Sequence, residues 1–217
     1  MTHDLYQAIY RVAKVLEVPV VLLALLALAV VLIEMGRFGV EIVTRRRRPR
    51  DVVKNAGLTE AALAARRALS SEDTAGALRA LQPIAWSAAM ESTYTALVAH
   101  TGQTGEANRV AKDLADFDFG RLRRLERTRL LVRIGPALGL MGTLIPLTPA
   151  LDGLANGNVK ALTENLRVAF SVTVLGLLVG ALAFGLSLAR DRIYGQDYSD
   201  LEYVASVLTD PAYEEAS

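Results

Sequence analysis

Residues 133–146 read Arg133-Ile134-Gly135-Pro136-Ala137-Leu138-Gly139-Leu140-Met141-Gly142-Thr143-Leu144-Ile145-Pro146. A heavily basic run precedes this stretch, which opens an uncharged segment reaching Leu151. At roughly 18 residues, the segment is long enough to cross a bilayer as a helix. A purely lipid-facing helix is filled with Leu, Ile and Val. This one carries Gly135, Gly139 and Gly142 at spacings that place them on one face. Small residues on one face let a second helix come close inside a membrane. Thr143 stands on that face too and brings a hydroxyl to a place without water. The pattern predicts an assembly of close-packed helices enclosing a pore.

The composition agrees. Of 217 residues, 52% are hydrophobic, and the mean hydropathy of +0.30 is too apolar for an ordinary soluble domain. The formal net charge of +1 says little about partners; where the charges lie says more. The absence of cysteine excludes disulfides and thiolate metal sites. His3 and His100 lack ligand-type spacing and read as surface or interfacial residues. Gly135, Gly139 and Gly142 lack the preceding strand and the lysine of a nucleotide-binding loop. With no catalytic set in view either, the expectation is a protein that is not an enzyme and needs no cofactor. The first apolar run begins near Val18 and leads into arginines without a small-residue cleavage site, the pattern of a retained anchor.

Working outward, residues 1–17 carry Tyr6, Ile9, Tyr10, Ala13 and Leu16 at helical spacing, with Arg11 and Lys14 on another side. That is an amphipathic helix lying on the outer membrane surface. Residues 18–43 form a first span. Glu34 and Arg37 at its inner end are three apart and are read as an interfacial ion pair, with an intramembrane proton carrier as the other reading of Glu34. Arg45, Arg46, Arg47, Arg48 and Arg50 follow directly. Beside a hydrophobic helix they mark the cytoplasmic side and touch anionic lipid, and this placement argues against nucleic acid.

Residues 44–130 read as a cytoplasmic helical region, with helices over 59–69, 74–81 and from about 84 to 100, and a turn over 101–105. A further helix runs from Glu106, with a bend near 116–120, into a second span over 131–151 that ends at Pro146, Pro149 and Asp152. Unbroken to Leu151, it would be about 68 Å long, more than twice the hydrocarbon core. An outer loop over 152–167, a third span over 168–189 and a cytoplasmic C-terminal helix or tail over 190–217 complete the chain. The tail is amphipathic through Tyr194, Leu201, Val204, Val207 and Leu208. The arginine flanks at 45–50, 121–133 and 190–192 all fall inside, with the N-terminus outside. The fold expected is all-α: a multi-pass protein of the cell membrane with three transmembrane helices and long cytoplasmic helical extensions.

The third span repeats the motif of the second, with Ala169, Thr173, Gly176 and Gly180 on one face. Two such faces either pack tightly or line a narrow passage, since a lone Thr in a membrane helix often only bonds its own backbone. Thr143 and Thr173 fall within about a turn of each other in depth, which favours the passage. Neither span has a charged or histidine residue in its middle. A proton carrier needs a titratable group there. The pattern therefore predicts a partner subunit that brings the carboxylate.

The run from Ile134 to Thr143 resembles the AP-x-x-GL-x-GT signature of the MotA/TolQ/ExbB proton channel family, and Thr173-Val174-Leu175-Gly176-Leu177 resembles its T-x-x-GL third span. The likeness covers about residues 105–195 well and the first span loosely. It implies a homopentamer around a dimer of a single-span MotB/ExbD/TolR-like subunit. An Asp of that subunit exchanges protons opposite Thr143 and Thr173, turning the proton motive force into rotation, as in a stator or a protein-transport motor. It also implies that Gly135, Gly139, Gly142, Pro146, Ala169, Gly176 and Gly180 pack closely around the pore, with Gly142 and Gly176 clearing room for the partner helix. ExbB and TolQ relatives usually have a Glu five residues before the third-span Thr. Val168 stands there in this chain, and Glu164 is the candidate acid at the outer mouth. The contrasting reading is a passive membrane scaffold whose small faces pack helices and conduct nothing.

Overall fold

The computed structural model describes residues 15–46 and 55–210, and among these the chain is helix and turn with no strand. The surface helix expected over 1–17 lies outside the described residues up to residue 14, as do Arg47, Arg48 and Arg50 and the acidic end of the tail. The helices are α1 (Glu17–Arg46), α2 (Asn55–Ser70), α3 (Thr74–Leu81), α4 (Ala88–His100), α5 (Glu106–Ala155) and α6 (Val159–Thr209), with a 3₁₀ turn at Gln82–Ile84. Three of them, α1, α5 and α6, are long and apolar enough to cross a membrane. The chain divides into two compact units, Met1–Phe38 with Leu125–Ala189, and Gly39–Arg124 with Arg190–Ser217.

In the first unit, α1 turns Val20, Ala24, Ala27 and Val31 inward, a stripe at alternating spacings of four and three. It meets Leu138 of α5 and Val172, Val179 and Ala183 of α6. On its other sides Leu22, Leu25, Leu26, Leu32 and Ile33 are 47–60% exposed. A helix apolar all round needs lipid or further protein about it.

Two expectations for this unit are corrected. Pro146 and Pro149 do not end the helix: α5 continues through Pro136, Pro146 and Pro149 to Ala155. Proline fixes φ near the helical value and forfeits one backbone bond, a loss that membrane helices tolerate. The outer loop expected over 152–167 shrinks to residues 156–158. Gly157 has φ +71° and its N–H donates to Leu154 O at 3.0 Å, while Asn158 N–H donates to Gly153 O at 2.8 Å, which closes α5. The Asn158 side chain then accepts from Ala161 N at 3.0 Å and opens α6. One Asn-Gly-Asn triplet thus serves as both the stop and the start signal.

The second unit is built on a core of Ala62, Ala65, Leu81, Ile84, Met90, Tyr94, Leu97, Leu201, Val204 and Val207. Asp73 caps α3 by accepting from Gly76 N at 2.7 Å. The helix expected from residue 84 starts at Ala88, because Pro83 sits in the 3₁₀ turn and Ser87, with an extended backbone, accepts from Met90 N at 3.2 Å. The turn at 101–105 has positive φ at Gly102 and Gly105. No interruption occurs at 116–120, where α5 is continuous. As far as Thr209 the expected C-terminal tail is no separate element but the end of α6, with Leu201, Val204, Val207 and Leu208 all buried.

Candidate ion-pathway site

Within the first unit, α5 and α6 touch backbone to backbone. A methyl group on Gly135 would lie 2.7 Å from Gly176 O, and one on Gly176 would lie 2.5 Å from Gly135 O and 2.7 Å from Gly139 Cα. Gly139 faces Thr173 Cα at 3.4 Å. Gly180 leaves space for the ring of Pro136, whose Cδ would be 2.9 Å from an added methyl. A methyl group has no room at Gly135, Gly176 or Gly180, and at Gly139 it would fit only if α6 gave way by a few tenths of an ångström. The resemblance assigned Gly142 and Gly176 to clearance for a partner helix; within this chain the space beside Gly142 is taken by Val172 and that beside Gly176 by α5. Each helix's small face is the other's complement. Pro146 and Ala169 are buried along with it.

The hydroxyl of Thr173 lies at this seam, 3.0 Å from Ala169 O of its own helix and 3.2 Å from Gly139 O across it. Thr143, one turn beyond Gly139, donates to Leu140 O at 2.8 Å. Both threonines are half-buried. A hydroxyl has one hydrogen and two lone pairs. With the hydrogen on a backbone carbonyl, the lone pairs can still accept from a carboxylic acid. A carboxylate, which only accepts, would have to draw that hydrogen away from the carbonyl. Protonated and ionised carboxyl groups therefore place different demands on Thr173.

The other predicted residues lie apart from this seam. Glu164 is exposed, 3.9 Å from Lys160 Nζ. Nine residues before Thr173, or about two and a half turns, it projects from the opposite side of α6. Val168 is 40% exposed. Glu34 is half-buried and Arg37 exposed on α1.

Sequence reasoning missed a polar ring in the second unit. Arg45 Nη1 donates to Asp197 Oδ1 at 2.8 Å and Nη2 to Asp197 Oδ2 at 2.6 Å, a two-pronged pair in which Asp197 is 4% exposed. Arg45 Nη2 also donates to Glu41 at 3.0 Å, and the Tyr194 hydroxyl donates to the other oxygen of Glu41 at 3.0 Å. Burial lowers the tendency of Arg45 to hold its proton, but the bonds and charge of Asp197 and Glu41 outweigh it and the net shift is upward. Burial, with the Glu41 charge beside it, pushes the Tyr194 phenol up to about 12. The signal lay in spacing, Glu41 to Arg45 and Tyr194 to Asp197 each within one turn, but nothing local joins the two pairs.

A model of the MotA/TolQ/ExbB proton channel family matches residues 81–190. No curated protein and no solved structure matches the chain. The match covers half of the 217 residues and contains the whole glycine seam and both threonines, while α2 and the last part of α6 lie outside it. The chain belongs to the MotA/TolQ/ExbB proton channel family, and its three long apolar helices make it a membrane protein.

Proposed function

We propose that this chain is the ion-conducting subunit of a complex driven by the proton motive force, a homopentamer around a dimer of a single-span subunit whose membrane Asp takes up and releases protons opposite Thr143 and Thr173. The proton passage then drives rotation or work on a further partner. The complex sits in the cell membrane, with the arginine flanks cytoplasmic and the N-terminus outside. The observation that carries this reading is a pair of hydroxyls on helices that hold no charged residue over 134–151 and 168–189. Such a pathway has ligands for a proton carrier and lacks the carrier.

The test is proton flux in vesicles containing the chain and its single-span partner. Thr173→Val keeps the shape and removes the hydroxyl. A hydrogen bond to a charged group is worth about 1.5–3 kcal/mol, so flux falls by roughly tenfold to a hundredfold, and Thr173→Ser retains most of it. Unchanged flux in Thr173→Val rejects the proposal.

One observation favours the passive scaffold instead: both hydroxyls already bond backbone carbonyls. That reading expects a stable oligomer without a second subunit and no flux from any variant.

A further inference from the structure

Glu17 opens α1 and is half-buried. It stands three residues before Val20 and so extends by one turn the stripe of Val20, Ala24, Ala27 and Val31 that packs on α5 and α6. Among the described residues its carboxyl group has no hydrogen bond and no ion pair. Nor does it cap its helix, because Val20 N–H already donates to Leu16 O at 3.0 Å. Taking a carboxylate out of water is unfavourable unless something there binds it or gives it a proton.

Two registers fix the height of Glu17 in the first unit. On α6, Val172, Val179 and Ala183 repeat the spacing of Val20, Ala27 and Val31 on α1, and all six meet in one core. The offset between them is 152 residues, the same as between Arg45 and Asp197 on these two helices. Glu17 is thereby level with Ala169. Between α5 and α6, Gly142 faces Val172 and Gly153 faces Ala161, which brings Ile145 to the height of Ala169 as well. Three features meet at this level. Ala169 O accepts from Thr173 Oγ at 3.0 Å. Pro149 has no N–H to give Ile145 O, so that carbonyl can accept from a protonated acid. Val168, one turn before Val172, stands where ExbB and TolQ relatives usually have Glu, and brings no acid. The nearest charged groups on the packed helices are Asp152 of α5 and Glu164 and Arg167 of α6, all exposed; on α1 itself the next is Glu34.

We infer that Glu17 is the proton-accepting carboxylate at the outer end of the pathway, in the place that Val168 leaves without one. Ionisable groups at the edge of a membrane bundle serve as proton relays. The Glu17 carboxylate takes a proton from the water outside. The acid so formed gives that proton, through water, to the ionised Asp of the single-span partner and is a carboxylate again. This assignment rests on the conduction reading of the proposed function.

The test is proton flux in vesicles holding the full chain and its single-span partner, with the pH outside varied. Glu17→Gln keeps the shape and removes the proton acceptor. A positioned acid or base speeds proton transfer by about a hundredfold or more, so flux is expected to fall by roughly tenfold or more. The deficit should shrink as the outside is acidified, because water then loads the Asp directly. Adding Val168→Glu to Glu17→Gln returns a carboxyl group to the same height and should restore most of the flux. Undiminished flux in Glu17→Gln, a deficit equal at every outside pH, or no recovery with Val168→Glu each overturns the inference. If the unaltered complex conducts and Glu17→Gln conducts as well, this assignment alone falls. If the unaltered complex conducts nothing, the conduction reading falls and takes this assignment with it.

Discussion

Gly176 is closed in by backbone: Gly135 O, Gly139 Cα and Gly139 N would all lie within 2.7 Å of an added methyl. A flexible side chain could swing aside, but a helix backbone cannot without moving the helix. Gly176→Ala should therefore part α5 from α6 and lower stability by about 1–3 kcal/mol, the usual cost of overpacking. Gly185 on the same helix has nothing within 4 Å. There the added methyl only raises helix propensity, so Gly185→Ala should hold or gain about 0.5–1 kcal/mol. Thermal unfolding of both variants in one detergent decides this. Equal losses would mean that the seam is not tight. The spacing of these glycines was legible in the sequence, and so was the close contact it implies. Which surface fills the space was not, because a small face looks the same whether its complement lies in the same chain or another. The same holds for Thr173, whose second acceptor, Gly139 O, lies on a different helix.

Among the elements, the tie between α1 and α6 in the second unit rests on a pair 152 residues apart in sequence. Such a pair has no period and leaves no local mark, which is why spacing did not single out Asp197. Apolar stripes do have a period, and Leu201, Val204 and Leu208 could be placed on the inner face from spacing alone. Helix boundaries were legible where a cap or breaker stands next to the pattern, as at Thr74–Leu81. They failed where prolines lie inside a membrane helix or where three residues suffice for a reversal. The tie can be weighed by a double-mutant cycle. Asp197→Ala leaves the guanidinium of Arg45, whose side chain is 17% exposed, with Glu41 alone. Breaking a buried pair from one side costs about 3–5 kcal/mol, and the partial exposure here places the loss toward or below the low end. Arg45→Met with Asp197→Leu should be closer to the wild type than either single change, since the guanidinium and the buried Asp197 carboxylate go together and the partly exposed Glu41 keeps its bond from Tyr194. Faster hydrogen exchange over 39–46 in Asp197→Ala alone is the expected local sign. Additive losses in the double variant would show that the two residues do not act as a pair.

For the molecule as a whole, the decisive arrangement is the order of arginine-rich flanks around three apolar helices. Arg45 to Arg50, the run Arg121 to Arg133, and Arg190 with Arg192 each border an apolar helix at one end. The opposite ends carry fewer basic residues: Arg11 and Lys14 before the first helix, none in the turn at 156–158, and Lys160 and Arg167 beyond it. Lysine and arginine near a span are held on the cytoplasmic side. Three flanks that alternate correctly along the chain leave a single orientation in which all of them agree. In the orientation we propose, the 156–158 turn lies outside and the Ser70–Ser71 corner inside. Both corners tolerate a probe, since Asn156 and Ser71 are exposed and neither caps the helix that follows. In the cysteine-free background, Asn156→Cys should react with a membrane-impermeant maleimide on intact cells. Ser71→Cys should react only after the membrane is opened. The reverse pattern would invert the chain in the membrane and place the second unit on the side from which protons enter. Labelling of both sites in intact cells would mean that the apolar helices do not form the three crossings their length allows.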